Sequence, residues 1–273
     1  MKLVDLETRI DVKVTAGVLD QDVRSVTQDS RDVEKGSLFV ALPGSEVDGH
    51  EFIGQALERG ANALLVENLP GWVVENGVGL KVGVLVVPDT RKALAIASSF
   101  FNGEPSKSLS VTGITGTNGK TTVSYLVDGI FLAAGFSVGV LGTIENRLGK
   151  EVKDSNLTTP DASEIQKLFK NMVERRISHC VMEVSSHALE QDRTWGTRFK
   201  SCVFTNLTHD HLDYHKSMKS YLHAKEQLFT AYKPECSIVN IDDPAGASIA
   251  RKVSGKLLTY GLQGKADLTC DVL

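Results

Sequence analysis

Leu109-Ser110-Val111-Thr112-Gly113-Ile114-Thr115-Gly116-Thr117-Asn118-Gly119-Lys120-Thr121-Thr122 decides how the rest of the chain is read. Leu109 to Ile114 is an apolar run of strand length. A Gly-rich turn follows, and a helical pattern runs from Lys120 to about Ala134. Small residues in such a turn let successive backbone N–H groups approach phosphate oxygens, and the helix N-terminus adds a favourable dipole. Gly116, Thr117, Asn118, Gly119, Lys120, Thr121 and Thr122 are therefore the candidate nucleotide-binding residues. Lys120 has the reach for the outer phosphates, and the Thr121 hydroxyl is placed for Mg²⁺. The strict G-x-x-x-x-G-K-[ST] pattern is not met, because its first glycine falls on Ile114. A bare Gly-rich turn before a helix-start lysine is the alternative.

Working outward, strands and helices alternate on both sides of this stretch. Before it, Leu38 to Leu42, Ala63 to Val66 and Val82 to Val87 read as strands. Gly49 to Arg59 reads as a helix. Asp89 or Thr90 caps another that runs to Phe101. Asn102-Gly103-Glu104-Pro105-Ser106 then breaks the pattern, so the boundary is placed there: a domain over 1–103 and a second over 104–273. After the Gly-rich turn, strands are expected at Phe136–Leu141, Cys180–Met182, Cys202–Phe204 and Ser237–Asn240. Helices are expected at Ser163–Arg176 and Ser217–Tyr232. The fold class is α/β: a small N-terminal α/β domain followed by a mainly parallel-sheet P-loop domain.

Composition excludes several classes. The chain has 273 residues, 41% hydrophobic and 23% charged, as suits a globular chain of about two domains. A net charge of −4 gives no general basic footprint for nucleic acid. No apolar run approaches the ~18 residues of a membrane span. Met1-Lys2-Leu3-Val4-Asp5-Leu6-Glu7 turns acidic too early for a signal peptide, and Cys180, Cys202, Cys236 and Cys270 form no CxxC pair. A reducing, cytoplasmic setting is expected.

Three further places carry chemistry. Met182-Glu183-Val184-Ser185-Ser186-His187 closes a buried strand, and residues at that edge of a parallel sheet face the ligand crevice. Glu183 is there either as a hard oxygen ligand for Mg²⁺ or as a salt-bridged carboxylate. Thr205-Asn206-Leu207-Thr208-His209-Asp210-His211-Leu212-Asp213-Tyr214-His215 packs three histidines and two aspartates into seven residues, which invites a zinc reading. No thiol accompanies them, and the phosphate turn favours magnesium. Asn206 and Asp210 read as positioning residues or turn formers. Lys225 falls inside the apolar helical stripe Met218, Leu222, Leu228, Phe229, where a lysine either snorkels outward or is buried for a purpose.

Gly116-Thr117-Asn118-Gly119-Lys120-Thr121 resembles the ATP loop of the Mur ligases and of their relatives the folylpolyglutamate synthetases. Asp29-Ser30-Arg31, Gly36 to Ala41 and Asp48-Gly49-His50 resemble the N-terminal domain of the tripeptide-forming Mur ligases, and these segments discriminate against the folate enzymes. The resemblance implies an ATP- and Mg²⁺-dependent amide ligase acting on UDP-N-acetylmuramoyl-dipeptide and an amino acid, diaminopimelate or lysine. It places Ser30 near the uridine nucleotide, with the loop Ser45 to Asp48 beside it. Thr158, Thr159, Ser185, Gln191 and Arg193 go to the muramoyl-peptide substrate. Lys120, Glu183, His211 and Lys225 become the catalytic group, and Thr121, Glu183, His211 and Lys225 the metal holders. The pattern Tyr221-x-x-Ala224-Lys225 implies a lysine carbamylated by CO₂. The family carries a third, C-terminal domain with no counterpart in these residues, so this chain is expected to bind nucleotide without ligation on its own. Another Mur or folylpolyglutamate-type ligase, a non-catalytic nucleotide-binding module and a free-standing P-loop phosphatase or kinase are the competing readings.

Overall fold

The computed structural model describes residues 1–44, 47–69, 71, 81–263 and 266–270. The chain divides into two compact units, Met1–Glu104 and Pro105–Leu273.

The first unit holds five strands: β1 (Val14–Ala16), β2 (Ser25–Thr27), β3 (Ser37–Val40), β4 (Ala63–Val66) and β5 (Gly83–Val86). They lie in the order β1-β5-β4-β3-β2, parallel except for β1 against β5. β3, β4 and β5 are buried at every position, which is why they read as short continuous apolar runs rather than alternating ones. Among the described residues the α-helices of this unit are α1 (Leu3–Glu7) before β1, α2 (Ile53–Glu58) between β3 and β4, and α3 (Thr90–Phe101) after β5. Asp89 caps α3 by accepting from the N–H groups of Arg91 and Lys92. The helix expected over Gly49–Arg59 starts instead as a tight 3-10 turn, Gly49–Phe52. The Asp48 side chain accepts from His50 N and winds that turn more closely.

The second unit is built on an eight-stranded sheet. Its strands are β6 (Ser110–Thr115), β7 (Val138–Leu141), β8 (Glu145–Leu148), β9 (Glu151–Asp154), β10 (His179–Glu183), β11 (Ser201–Phe204), β12 (Cys236–Asn240) and β13 (Lys256–Tyr260). The order is β13-β12-β11-β6-β10-β7-β8-β9. All neighbours are parallel except the β7-β8-β9 edge. The helices are α4 (Lys120–Ala133), α5 (Ala162–Glu174), α6 (Ser186–Glu190), α7 (Leu212–His215), α8 (Met218–Thr230) and α9 (Pro244–Ala250). α5 stops before Arg176, which takes a left-handed φ of 58°.

The period of two along each strand splits the core into two faces. Val111, Cys180, Met182, Cys202 and Phe204 pack with Ile165, Phe169 and Met172 of α5, Leu228 and Phe229 of α8 and Ile249 of α9. Ile114, Val138, Val181 and Val203 face the other way, onto Val123, Val127 and Phe131 of α4. Each fully buried Val, Leu, Ile, Phe or Met among these contributes roughly 1.5–3 kcal/mol. Among the described residues, no helix is long and apolar enough to cross a membrane.

Candidate functional site

The centre of the second unit is β6, flanked by β10 and β11. The chain runs from β6 towards β7 on one side and later crosses to β11 on the other, so the carboxyl ends of these strands border a switch-point crevice. The Gly-rich turn leaves β6 there. At Gly116 an added Cβ would lie 1.9 Å from Thr205 Oγ1, so only glycine lets the turn run beside the end of β11. That neighbour braces the turn. Thr117 N donates to Asn206 O (2.9 Å), Asn118 N to Asn206 Oδ1 (2.9 Å), and Thr205 Oγ1 to Asn118 O (2.7 Å). Gly119 then takes φ 85° and opens α4 with no side-chain cap, leaving the orphan N–H groups of the first turn facing outward. Thr122 is exposed on that turn.

Two lysines converge on the turn. Lys120 Nζ donates to Gly116 O (3.0 Å) and Thr117 O (2.9 Å), and Lys225 Nζ also donates to Gly116 O (2.9 Å). Burial lowers the Lys120 pKa from the ordinary lysine value, opposed by Glu183 and Asp210. Lys225 is 1% exposed and does not snorkel; its Nζ lies 4.5 Å above the Tyr221 ring. Burial first, and the Lys120 charge second, push its pKa down to about 7, with Asp210 opposing. Tyr221, one turn earlier on α8, also places its hydroxyl 3.1 Å from Thr117 Oγ1.

Glu183 ends β10 beside α4. It is 1% exposed, yet its carboxylate is well supplied with donors. Oε2 accepts from Thr121 Oγ1 (3.0 Å) and Thr143 Oγ1 (3.1 Å), and Oε1 accepts from Thr143 N (3.0 Å). No ion pair holds it among the described residues, so the salt-bridge alternative is not what the structure shows. A carboxylate offers about four lone-pair sites, so three donors leave room for a cation. Thr121 and Glu183 form a hard-oxygen pair suited to Mg²⁺.

From Glu183 the hydrogen bonds continue into a second group. Thr159 Oγ1 donates to Glu183 O (2.9 Å) and accepts from Ser185 N (3.0 Å). Arg193 Nη1 donates to Thr159 O (3.1 Å), and its Nε and Nη2 grip Gln191 Oε1 at 2.9 and 2.6 Å. Gln191 Nε2 donates to Tyr214 OH (3.1 Å). Thr158 Oγ1 lies 3.1 Å from Thr143 Oγ1. Thr121, Thr158, Thr159, Glu183, Ser185, Gln191 and Arg193 thus belong to one connected cluster, though up to 72 positions separate them in sequence. His211 is not hydrogen-bonded into that cluster. Its N–H is held by Asp210 Oδ1 (2.8 Å), and its exposed ring lies 5.0 Å from His187 and 6.1 Å from Tyr221, centre to centre. His215 is buried against Ser186 Oγ (2.9 Å) and stacks on Tyr221. Among the described residues, no three His, Cys, Asp or Glu side chains converge as a metal cage.

Ser30 belongs to the first unit, where its buried hydroxyl donates to Gln55 Oε1 (2.6 Å) and Arg31 pairs with Asp29. His50 Nδ1 lies 2.6 Å from Asp48 Oδ1 and Nε2 lies on Glu67 N, which orients the ring at the start of the 3-10 turn. In the loop Ser45 to Asp48, Ser45 and Glu46 lie outside the described residues. Sequence reasoning missed Thr143 and Tyr221 as site residues. Thr143 lies two residues past the strand expected at Phe136–Leu141, but only the placement of β7 beside β10 brings it to Glu183.

Residues 114–272 match the family model described as the Mur ligase middle domain, and residues 22–102 match that described as Mur ligase family, catalytic domain. A UDP-N-acetylmuramoyl-L-alanyl-D-glutamate–2,6-diaminopimelate ligase of Clostridium perfringens is 43% identical over 272 residues, covering 98% of this chain and 54% of its own. The ligase of that name from Aquifex aeolicus is 46% identical over 242 residues, covering 89% and 48%. A solved structure of a ligase so named superposes with a TM-score of 0.81 at 28% identity, covering 98% and 54%. The chain spans about half the length of these relatives.

Proposed function

Because the chain belongs to the Mur ligase family, we propose that it carries the nucleotide-binding and acceptor-binding parts of an ATP-dependent amide ligase. The acceptor is UDP-N-acetylmuramoyl-L-alanyl-D-glutamate, and the added amine is 2,6-diaminopimelate, as the relatives' names state for those proteins. The observation that carries this reading is the single hydrogen-bonded cluster in which Thr121 and Glu183, beside the phosphate turn, run directly into Thr158, Thr159, Ser185, Gln191 and Arg193.

The N–H groups of the turn and Lys120 hold the ATP phosphates. Lys120 exchanges its two turn carbonyls for phosphate oxygens, a stronger charge-assisted contact. Thr121 and Glu183 would hold Mg²⁺, with His211 and carbamylated Lys225 the candidates for a second ion. Magnesium supplies charge neutralisation on the phosphoryl oxygens. Arg193, its guanidinium oriented by Gln191, and the hydroxyls of Thr158 and Ser185 orient the acceptor. A carboxylate of the acceptor attacks the γ-phosphorus, ADP leaves, and the incoming amine displaces phosphate from the acyl phosphate. Positioning two anions that repel each other is the main contribution of these residues. Ligation is the proposed activity, and binding of nucleotide and acceptor is the part of it assigned to these residues.

Calorimetry with UDP-N-acetylmuramoyl-L-alanyl-D-glutamate, with and without Mg²⁺ and a non-hydrolysable ATP analogue, tests the reading. Binding of both ligands is expected. A folded sample that binds the analogue and ignores the acceptor would remove the acceptor assignment and leave only the nucleotide site.

A further inference from the structure

Thr143 has no place in the roles assigned above, yet it makes more contacts with the Glu183 carboxylate than any other residue described. Its N–H donates to Oε1 and its hydroxyl lies 3.1 Å from Oε2. The same hydroxyl lies 3.1 Å from Thr158 Oγ1. A threonine hydroxyl has one proton, and an ionised carboxylate only accepts. In both bonds Thr143 is the donor, so its single proton serves either Glu183 Oε2 or Thr158 Oγ1. Thr143 thus stands as a two-way donor between Thr158 and Glu183, and it meets the Thr121 hydroxyl at the same carboxylate oxygen. Gly142 completes the arrangement: an added Cβ there would come within 2.5 Å of Glu183 Oε1, so the backbone approaches the carboxylate as closely as it can.

Resting on the reading of Glu183 as a metal-holding carboxylate, we propose that Thr143 is a positioning residue that fixes the Glu183 carboxylate and ties it to Thr158, so that the metal–nucleotide side and the acceptor side of the site are set together. Three of about four lone-pair sites on Glu183 are already used, two of them by Thr143. The free direction is thus decided by Thr143. Outer partners that orient a metal-binding side chain are worth about 10- to 100-fold in metal affinity. Because the Thr143 proton serves one partner or the other, an acceptor that engages Thr158 releases that proton to Glu183, and a Glu183 that takes it leaves Thr158 to the acceptor, so each ligand favours the arrangement the other needs.

Thr143→Val removes the hydroxyl while keeping the shape and the N–H bond to Oε1. Thr143→Ser keeps the hydroxyl. Thr143 is exposed, so neither variant touches the core. The readout is the affinity of the chain for a non-hydrolysable ATP analogue in saturating Mg²⁺ relative to EDTA, and the affinity for UDP-N-acetylmuramoyl-L-alanyl-D-glutamate with and without the Mg²⁺-loaded analogue. The wild type and Thr143→Ser should bind the analogue more tightly with Mg²⁺, and each ligand should tighten the other. Thr143→Val should lose about 10- to 100-fold of the Mg²⁺ gain and the mutual tightening, with nucleotide affinity in EDTA unchanged. A Thr143→Val chain that matches the wild type in both ratios overturns the proposal, as does a Thr143→Ser chain that fails like Thr143→Val. A wild type with no Mg²⁺ gain at all would instead bring down the reading of Glu183 on which this rests.

Discussion

Lys225 allows a prediction with a number attached. Carbamylation by CO₂ consumes the neutral amine, and an ordinary lysine near pKa 10.4 is neutral in only about one molecule in 2,500 at pH 7. Lys225 is packed at 1% exposure between the Tyr221 ring and the Gly116 carbonyl, and its pKa is pushed down to about 7. About half of its amines are then neutral at pH 7, an advantage on the order of 1,000-fold. At fixed dissolved ¹³CO₂, the initial rate of label uptake should follow that neutral fraction. Lys225, identified by subtraction of the Lys225→Met variant, should reach half its limiting rate near pH 7. Other lysines should gain about tenfold per pH unit until well above pH 9. Each profile is scaled to its own maximum, so slow access to a buried amine cancels. A Lys225 rate still rising tenfold per unit between pH 8 and 9 would refute the argument. Stability gives the same sign. The folded pKa lies below the unfolded one, so the folded chain binds fewer protons between pH 7 and 10.5, and stability rises with pH across that window. Below pH 7 the full penalty stands, on the order of 5 kcal/mol at about 1.4 kcal/mol per unit. Lys225→Met should therefore stabilise the chain more at pH 6 than at pH 9.

Gly142→Ala should push the Glu183 carboxylate aside, because the new Cβ would sit 2.5 Å from Oε1, and calorimetry should show Mg²⁺-dependent nucleotide affinity falling while affinity in EDTA holds. Phe169→Ala, at 0% exposure between α5 and the sheet, should cost about 3–5 kcal/mol in urea denaturation, and a loss below 1 kcal/mol would mean that this face is not the tight core described.

What was legible in the chain was local, and what was hidden was pairing. The strand, turn and helix around Gly116 to Thr122 follow from neighbours in sequence. Asp89 and Ser217 cap α3 and α8 as side chains that compete with helix interiors should. The stripe on α8 located Lys225 correctly, although spacing alone could not say that the amine turns inward. The β8–β9 hairpin was not read, because Asn146, a polar residue, occupies one of its buried positions and breaks the apolar alternation. β13 and α9 were missed as well; β13 is only partly buried along its length, so its apolar signal is weak. Strand order is not encoded in any single stretch. That β10 inserts between β6 and β7 could not be read, and this insertion alone puts Thr143 beside Glu183. Asn206 read as a positioning residue or a turn former; in the structure it braces the phosphate turn, through contacts made 88 positions away that the sequence could not show.

The same pairing raises the question of what holds β10 in register. Its two faces are both apolar: Cys180 and Met182 face α5 and α8, and Val181 faces α4. A one-residue slip normally exposes a hydrophobic face, but in a strand buried on both sides it only exchanges one apolar residue for another. Glu183 breaks that degeneracy. In the observed register it lies opposite Ile114 of β6, one step beyond the Met182–Leu141 pair, and there its carboxylate meets Thr121 and Thr143. Moving it by one position would turn the charge to the opposite face of the sheet, among apolar side chains and without its three donors. Burying a carboxylate unpaired costs several kcal/mol, more than the packing differences among Cys, Val and Met can recover. The residue assigned to the metal is thus also the one that selects the register, and the hydroxyls that would orient it for magnesium are the ones that make its burial tolerable.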